Sequence, residues 1–473
     1  KELPQLLNED EEVKYRSESR YLALIRSMGL YEVANYPLLT MDNHNQANVL
    51  YLFRPLLVET TAAFPIKGLR VACFGSMPFH FRSLRPLSTC FESSLLSLSI
   101  PEVMAWRPQV IVVADGWSVE FWRDYCDAHQ VLLVGMRHGS VTRYGFAEPQ
   151  YNHADYMCGS PWDIEDTLRS NVHPRSGFLL TGNSWVDQVF RLPSRPVNEL
   201  SPTIVFAPTY NPEISAAAFF GERMVGLIRK VYPASRIIIK PHPAIVQHEH
   251  SFVVDKALFR GLMESWRAQV AADPLVELVD DPEASIADSF AEADILVADR
   301  SSLLFEFMVL DRPILLYSSE ARVGHWEYNP KAPGNAWRDI GMEFSEDEGF
   351  IDLLRNAYTN HAQYCRDSQA RRVDELYGRF KDGRSVERVA DAISRVPRPH
   401  VVIDARDTAL DTRMLDAFDR SMAFGQLAVL GGRAAQGQFA WVPQFESAQT
   451  LLNWLGSRQA QIQALMLVED RKS

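Results

Sequence analysis

The chain has 473 residues, enough for roughly three domains at about 150 residues each, and 47% hydrophobic against 23% charged residues is the balance of a globular protein with a sizeable core. A formal net charge of −12 argues against nonspecific nucleic-acid binding as the main role, which needs a net basic face, and leaves room for a local basic patch that holds an anionic substrate. Five scattered cysteines without CxxC spacing argue for a reducing compartment and against structural zinc, and no apolar run approaches the length of about 18–20 residues that spans a bilayer. With no signal peptide at its start, the expectation is a cytoplasmic protein; opening on Lys1 rather than Met suits a piece of a longer one.

Residues 1–61 are expected to form a helical lead-in, charged over Asn8–Arg20 and helical over Tyr21–Leu30. From Leu69 the texture changes. Short apolar runs at Leu69–Phe74, Val110–Ala114, Val131–Val134 and Gly177–Thr181 read as strands, with helix-length segments over Phe91–Leu98 and Ser118–His129. Such alternation predicts a parallel sheet covered on both faces, so 62–196 reads as one doubly wound domain. Leu192–Pro202 carries three prolines and no periodicity, as an interdomain linker should.

A second series follows over 203–395. Strands are expected at Thr203–Phe206, Arg236–Ile239 and Val276–Leu278, and helices at Ala216–Val231, Asp255–Ala271, Ser345–His361 and Arg384–Ser394. Its central unit is a strand Ile295–Ala298, a turn Asp299-Arg300-Ser301-Ser302, an amphipathic segment through Leu310 and a strand Ile314–Tyr317. Ligands in such units bind beyond the carboxyl ends of the strands. Two hydroxyls where a helix begins read either as a phosphate-binding turn or as a plain helix cap. Residues 398–473 read as a small α/β extension with strands at His400–Ile403, Gln426–Leu430 and Phe439–Val442 and helices at Leu410–Ala423 and Ser447–Leu455; no chemistry is assigned to it.

Two histidines follow strand ends, one per domain: His138 in Arg137-His138-Gly139 and His242 in Lys240-Pro241-His242-Pro243. Histidine suits acid/base work near neutral pH, although a lone one at a strand end is more often structural. Ala207-Pro208-Thr209-Tyr210 is a third strand-end turn, and Arg143, Lys240 and Arg300 are cations close to these ends. Asp382-Gly383-Arg384-Ser385 precedes a helix and can be an ordinary turn and cap. No GxGxxG or GxxxxGK[ST] follows a strand, which disfavours a nicotinamide cofactor or a P-loop, and no HExxH, GxSxG or metal-ligand spacing occurs.

The set His138-Gly139, Ala207-Pro208-Thr209-Tyr210, Lys240-Pro241-His242-Pro243, Asp299-x-Ser301-Ser302 and Asp382-Gly383-x-Ser385, in this order, resembles the CDP-glycerol glycerophosphotransferase family, the teichoic-acid and capsule polymerases and primases of bacteria. The resemblance covers roughly residues 130–395. It implies the GT-B fold, two facing Rossmann-like domains, and metal-independent transfer of a polyol phosphate from a CDP-linked donor to a hydroxyl of a growing polymer, with no cofactor. Carried over, His138 and His242 are the catalytic histidines. Thr209, Lys240, Asp299, Arg300, Ser301, Ser302, Arg384 and Ser385 fall to the donor side, and Arg137, Gly139 and Arg143 to the acceptor side. The implied partners are a nucleotide-linked donor and a polymer or lipid-linked acceptor, with peripheral attachment at the inner face of the membrane and no nucleic acid. The family pattern has an aromatic residue where Arg137 stands, Tyr where Arg300 stands and Pro-Arg where Asn183-Ser184 stand; an added cation suits a different or more anionic donor. The rival readings are a GT-B glycosyltransferase using another donor such as CMP-Kdo, and a noncatalytic scaffold of a capsule assembly.

Overall fold

The computed structural model describes residues 62–396 apart from 140–147, 171, 173, 248–254, 282–283, 320–328 and 331, together with the strand backbones at 31–39, 46–53, 56–57, 427–429 and 441–443. Two parallel sheets organise it. The first holds β3 (Leu56–Leu57), β4 (Ile66–Phe74), β5 (Phe91–Ser97), β6 (Val110–Val113), β7 (Leu132–Gly135), β8 (Tyr156–Gly159) and β9 (Gly177–Leu180), in the order β3-β9-β8-β7-β6-β4-β5. The second holds β10 (Ile204–Ala207), β11 (Ile237–Ile239), β12 (Val276–Leu278), β13 (Ile295–Ala298), β14 (Ile314–Tyr317) and β15 (Met342–Phe344), in the order β12-β11-β10-β13-β14-β15.

The central strands are apolar on both faces because helices cover both: Val110–Val113, Ile204–Ala207, Ile237–Ile239 and Ile295–Ala298 are wholly buried. Each sheet accordingly has a separate apolar core on either side. The strand order reverses between β4 and β6 in the first sheet and between β10 and β13 in the second. In open α/β sheets a crevice opens beyond the carboxyl ends at such a reversal. The two-domain α/β architecture expected from the alternating pattern is therefore present.

Several local expectations change. The part of the lead-in that is described is not helical: β1 (Tyr31–Leu39) pairs antiparallel with β2 (Gln46–Phe53), and β3 adds to the first sheet beside β9. These stretches carry the aromatic and branched residues of strands (Tyr31, Val33, Tyr36, Val49, Tyr51), whereas Tyr21–Leu30, which suggested a helix, lies outside the described residues. Phe91–Leu98 is not a helix but the edge strand β5; its Glu92-Ser93-Ser94 face water, and pairing with β4 rather than apolar periodicity decides its conformation.

The boundary at 395 also moves. The helix Ser385–Arg395 sets Val386, Val389, Ala390 and Ile393 into one core with Leu69, Val71 and Leu84 of the first domain. Its apolar stripe is legible in the sequence, but a stripe does not say which sheet it will cover. The linker is held to the second domain: Arg195 donates to the Ala291 carbonyl at 2.7 Å and to Asp294 at 2.7 Å. In the C-terminal extension only two strand backbones, Leu427–Val429 and Trp441–Pro443, are described, antiparallel to each other; the expected strand His400–Ile403 and both expected helices lie outside the described residues.

Candidate active site

At the reversal in the first sheet, β4 ends in Phe74-Gly75-Ser76 and β6 runs into Ala114-Asp115. Asp115 caps the helix Gly116–His129, accepting from the Ser118 N–H at 2.8 Å and its hydroxyl at 2.7 Å. The same carboxylate lies 3.2 Å from Nδ1 of His80 and accepts from the Ser76 hydroxyl at 3.1 Å. Burial pushes Asp115 up, but His80 and the bonds from His80 and Ser118 overcome it and hold the carboxyl at about 2. His138 follows β7, and its Nδ1 lies 2.8 Å from the Ala114 carbonyl. A carbonyl oxygen only accepts, so Nδ1 carries the ring proton and the Nε2 lone pair is available as a base. Crowding by the cleft walls and then the neighbouring His80 push His138 down to about 4, against the pull of the Ala114 carbonyl and Asp115. His138 is nevertheless exposed to solvent; a substrate covering it would push its pKa in the same direction.

At the reversal in the second sheet, the buried Asp299 follows β13 and reaches across to the turn after β10. Its carboxylate accepts from the N–H groups of Thr209 at 2.9 Å, Ala216 at 2.9 Å and Arg300 at 2.6 Å. Burial raises its pKa against these bonds and the charge of Arg338. Arg338 donates to the Asp299 carbonyl at 2.8 Å and to the Tyr317 carbonyl at 3.1 Å, which fixes the turn from beneath. The Lys240 ammonium, also buried, donates to the Asp281 carbonyl at 3.2 Å; burial pulls it down to about 8, with Asp281 opposing and Arg82 adding to the fall. Nδ1 of His242 accepts the Ala244 N–H at 3.1 Å, so the proton of the neutral ring sits on Nε2. The two histidines thus hold opposite tautomers: His138 presents an acceptor and His242 a donor.

The two reversals face each other. The Phe79 ring lies 5.5 Å from the His138 ring and 6.3 Å from the His242 ring, so both histidines line one cleft although they come from different domains. Tyr210 packs on His242 at 4.7 Å. A side chain at Gly139 would place its first carbon 3.1 Å from the Ser302 hydroxyl, so the absence of one eases the close approach of this turn to the Ser301–Ser302 turn. Deeper in the junction Arg82 pairs with the fully buried Glu306 and donates to the Trp185 carbonyl at 3.2 Å. Trp162 packs on Trp337 at 5.8 Å and Trp185 on Tyr377 at 5.9 Å, making the junction aromatic and close-packed.

The structure therefore gathers His138, Gly139, Ser302 and His242 at one cleft, with Lys240 on the same strand-end turn as His242, Thr209 and Arg300 holding the neighbouring turns through Asp299, and Ser301 next to Ser302. The Ser301 hydroxyl accepts the Leu303 N–H at 3.3 Å, while Ser302, at the cap position of the short helix Leu303–Phe307, makes no capping bond with its side chain. Four expectations are revised. Asp299 cannot turn its oxygens to a donor, because backbone N–H groups occupy them; it shapes the turns instead. Arg137 is directed away from an acceptor: its guanidinium donates to Asp163 at 3.2 Å, Asp166 at 3.3 Å and Thr167 at 3.1 Å, tying β7 to the helix Pro161–Arg169. Arg384 is exposed and pairs with Glu387, and Ser385 is buried against Gly182 of the first domain, so that turn seats the last helix rather than lining the second sheet. Arg143 lies outside the described residues. The sequence reading missed Phe79, His80, Arg82 and Asp115, though the rule that singled out His138 would have found the segment that follows β4. Among the described residues no group of three or more His, Cys, Asp or Glu side chains could hold a metal ion. No described helix is long and apolar enough to cross a membrane.

Residues 174–395 match the model of the family described as CDP-Glycerol:Poly(glycerophosphate) glycerophosphotransferase. Over that span the chain is similar to this family. The glycerophosphotransferase match takes in β9, the linker, the whole second sheet and the last helix, and begins after His138. Among curated proteins none matches the sequence. Among solved structures, the wall teichoic acid polymerase TagF overlaps 70% of this chain and 89% of its own at 13% identity and a TM-score of 0.49. A UDP-GlcNAc 2-epimerase from Neisseria meningitidis bound to UDP-GlcNAc overlaps 69% and 99% at 12% identity and a TM-score of 0.42. The two-sheet architecture stands on its own strand pairings.

Proposed function

We propose that this protein is a glycerophosphotransferase that moves a polyol phosphate, glycerol phosphate in the first instance, from a CDP-linked donor to a hydroxyl of a teichoic-acid-like or capsule-like polymer. The acceptor oxygen attacks the phosphorus that bears the polyol, a new P–O bond forms, the P–O bond to CMP breaks and CMP leaves. Nε2 of His138 takes the proton of the attacking hydroxyl, while Nε2–H of His242 and the Lys240 ammonium meet the phosphate oxygens on which charge develops. Arg300 and the Ser301–Ser302 turn complete the donor side. No metal enters the scheme. The polymer end approaches from the first domain, and attachment to the membrane that carries it would be peripheral.

The observation that carries this reading is the pair of opposite tautomers in one cleft: an unprotonated ring nitrogen on one wall and a protonated one on the other are what a proton acceptor and a phosphate ligand require. The experiment is turnover by the purified protein with CDP-glycerol, CDP-ribitol and CMP-Kdo in parallel, each with and without a chelator. Transfer from CDP-glycerol with release of CMP, undiminished by the chelator, is the expected result. Turnover of CMP-Kdo alone would replace the reading with a sugar transferase, dependence on added metal would remove the metal-free scheme, and donor binding without turnover would point to a scaffold.

A further inference from the structure

One side chain of the first reversal has no part in the scheme above. His80 is buried, and its ring lies 4.6 Å from that of His138 at an angle of 34°. The two rings are held by consecutive residues of one turn: the Ala114 carbonyl holds Nδ1 of His138, and the Asp115 carboxylate holds Nδ1 of His80. Ser76 closes the arrangement, with its hydroxyl 3.1 Å from Asp115 and 3.3 Å from Nδ1 of His80. Phe79 stands edge-on to His80 at 4.6 Å and separates it from the second domain. A buried carboxylate set against an imidazole, with a second imidazole stacked beyond, is more than helix capping requires, because Ser118 alone satisfies the cap.

We propose that His80 is a positioning residue for the transfer: charged through its contact with Asp115, it lies against His138 as a fixed cation and keeps that base free of its proton. This rests on the reading of His138 as the proton acceptor. The physical cause is repulsion between like charges: a second proton on His138 would put two imidazolium rings, tilted by 34°, within 4.6 Å of each other. The other groups that face the pair are accounted for. Asp115 attracts a proton to both rings. Glu148, whose Oε2 accepts the Gly116 N–H at 2.8 Å, lies behind Asp115 and feels His80. Arg82, on the helix that follows His80, acts on His138 in the same sense as His80. Across Phe79 the second domain presents His242, and behind it Lys240. The signs agree with the direction found for His138, whose pKa falls first through burial and next through His80.

The test is ring titration by NMR on the full chain labelled at histidine, assigned with His80→Gln and His138→Gln, together with the pH profile of kcat/KM. In the unmodified protein, in the pH window just above the His138 titration, His80 should be doubly protonated and His138 neutral. In His80→Gln, which keeps a hydrogen bond to Asp115 but no charge, the His138 titration should rise by about one pH unit or more, and the acid limb of kcat/KM should rise with it. His80→Lys, which restores a cation, should keep both low. A neutral His80 in that window of the unmodified protein would overturn the proposal without any variant. So would a folded His80→Gln whose His138 titration does not move, which is the outcome of a merely structural role. If the ring titrations behave as expected but no donor is turned over, the proposal stands and the functional reading falls.

Discussion

The two strand-order reversals carry the same kind of residue, an aspartate directly after a buried strand, and use it in opposite ways. Asp299 faces three backbone N–H groups and is closed off from the cleft. Asp115 divides its oxygens between a helix cap and the side chains of Ser76 and His80, one step from the His138 ring. A carboxylate satisfied by main chain fixes the shape of a turn. One shared with a titratable side chain can also set a charge. On the proposed scheme the second reversal holds an anion in a fixed geometry, and the first manages a proton.

Variants can break this comparison. The largest effect is expected from His138→Ala: loss of a general base costs roughly 10²–10⁴-fold in turnover, measured as CMP release in a single turnover, while the affinity for the CDP-linked donor, measured by calorimetric titration, stays nearly unchanged. If donor affinity falls as far as turnover, the first reversal is not specialised for the proton. Next comes stability. Asp299→Ala leaves three buried N–H groups without an acceptor and should destabilise by about 3 kcal/mol or more in urea unfolding, because bonds to a charged group are worth about 1.5–3 kcal/mol each and do not add fully. Asp115→Ala should cost less, because it takes the acceptor from one backbone N–H rather than three. Equal losses would remove the contrast between the two aspartates.

The third effect sharpens the donor side. His242→Ala should weaken donor binding by about 1.5–3 kcal/mol, the worth of a hydrogen bond to a charged group, and lower turnover as well. Donor affinity equal to that of His138→Ala, or the reverse order, would mean that the roles are exchanged. The smallest effect is one of pH. Burial pulls Lys240 down to about 8, so the ammonium, which on the proposed scheme attracts the donor phosphates, is present below that value and is lost as pH rises through it. Donor affinity should therefore fall several-fold between neutral pH and pH values above about 9, and in Lys240→Met this fall should vanish along with the starting advantage. A donor affinity flat across that range in the unmodified protein would take Lys240 off the donor side.

The sequence by itself determined that there are two sheets, with their central strands, and which candidate residues stand at the strand ends. Runs such as Val110–Val113, Ile237–Ile239 and Ile295–Ala298 are short, apolar and bounded, which only a strand buried on both faces satisfies, and the residues directly after them stand at the carboxyl ends whatever the rest of the chain does. His138, His242, Lys240 and the Ser301–Ser302 turn could therefore be picked out from local order alone. Tertiary structure decided what local order does not encode. Phe91–Ser97 is a strand because β4 offers it an edge, and Ser385–Arg395 covers the first sheet because its stripe fits that core and no other signal says so. Arg137 and Asp299, both plausible ligands by type and place, are claimed by Asp163, Asp166 and Thr167 and by backbone N–H groups that only folding brings near. The meeting of His80 with Asp115 and His138, across 35 and 58 residues of chain, is of the same kind: it depends on which strand ends are neighbours in the sheet, and strand order is set by the packing of whole helices rather than by any residue at the site.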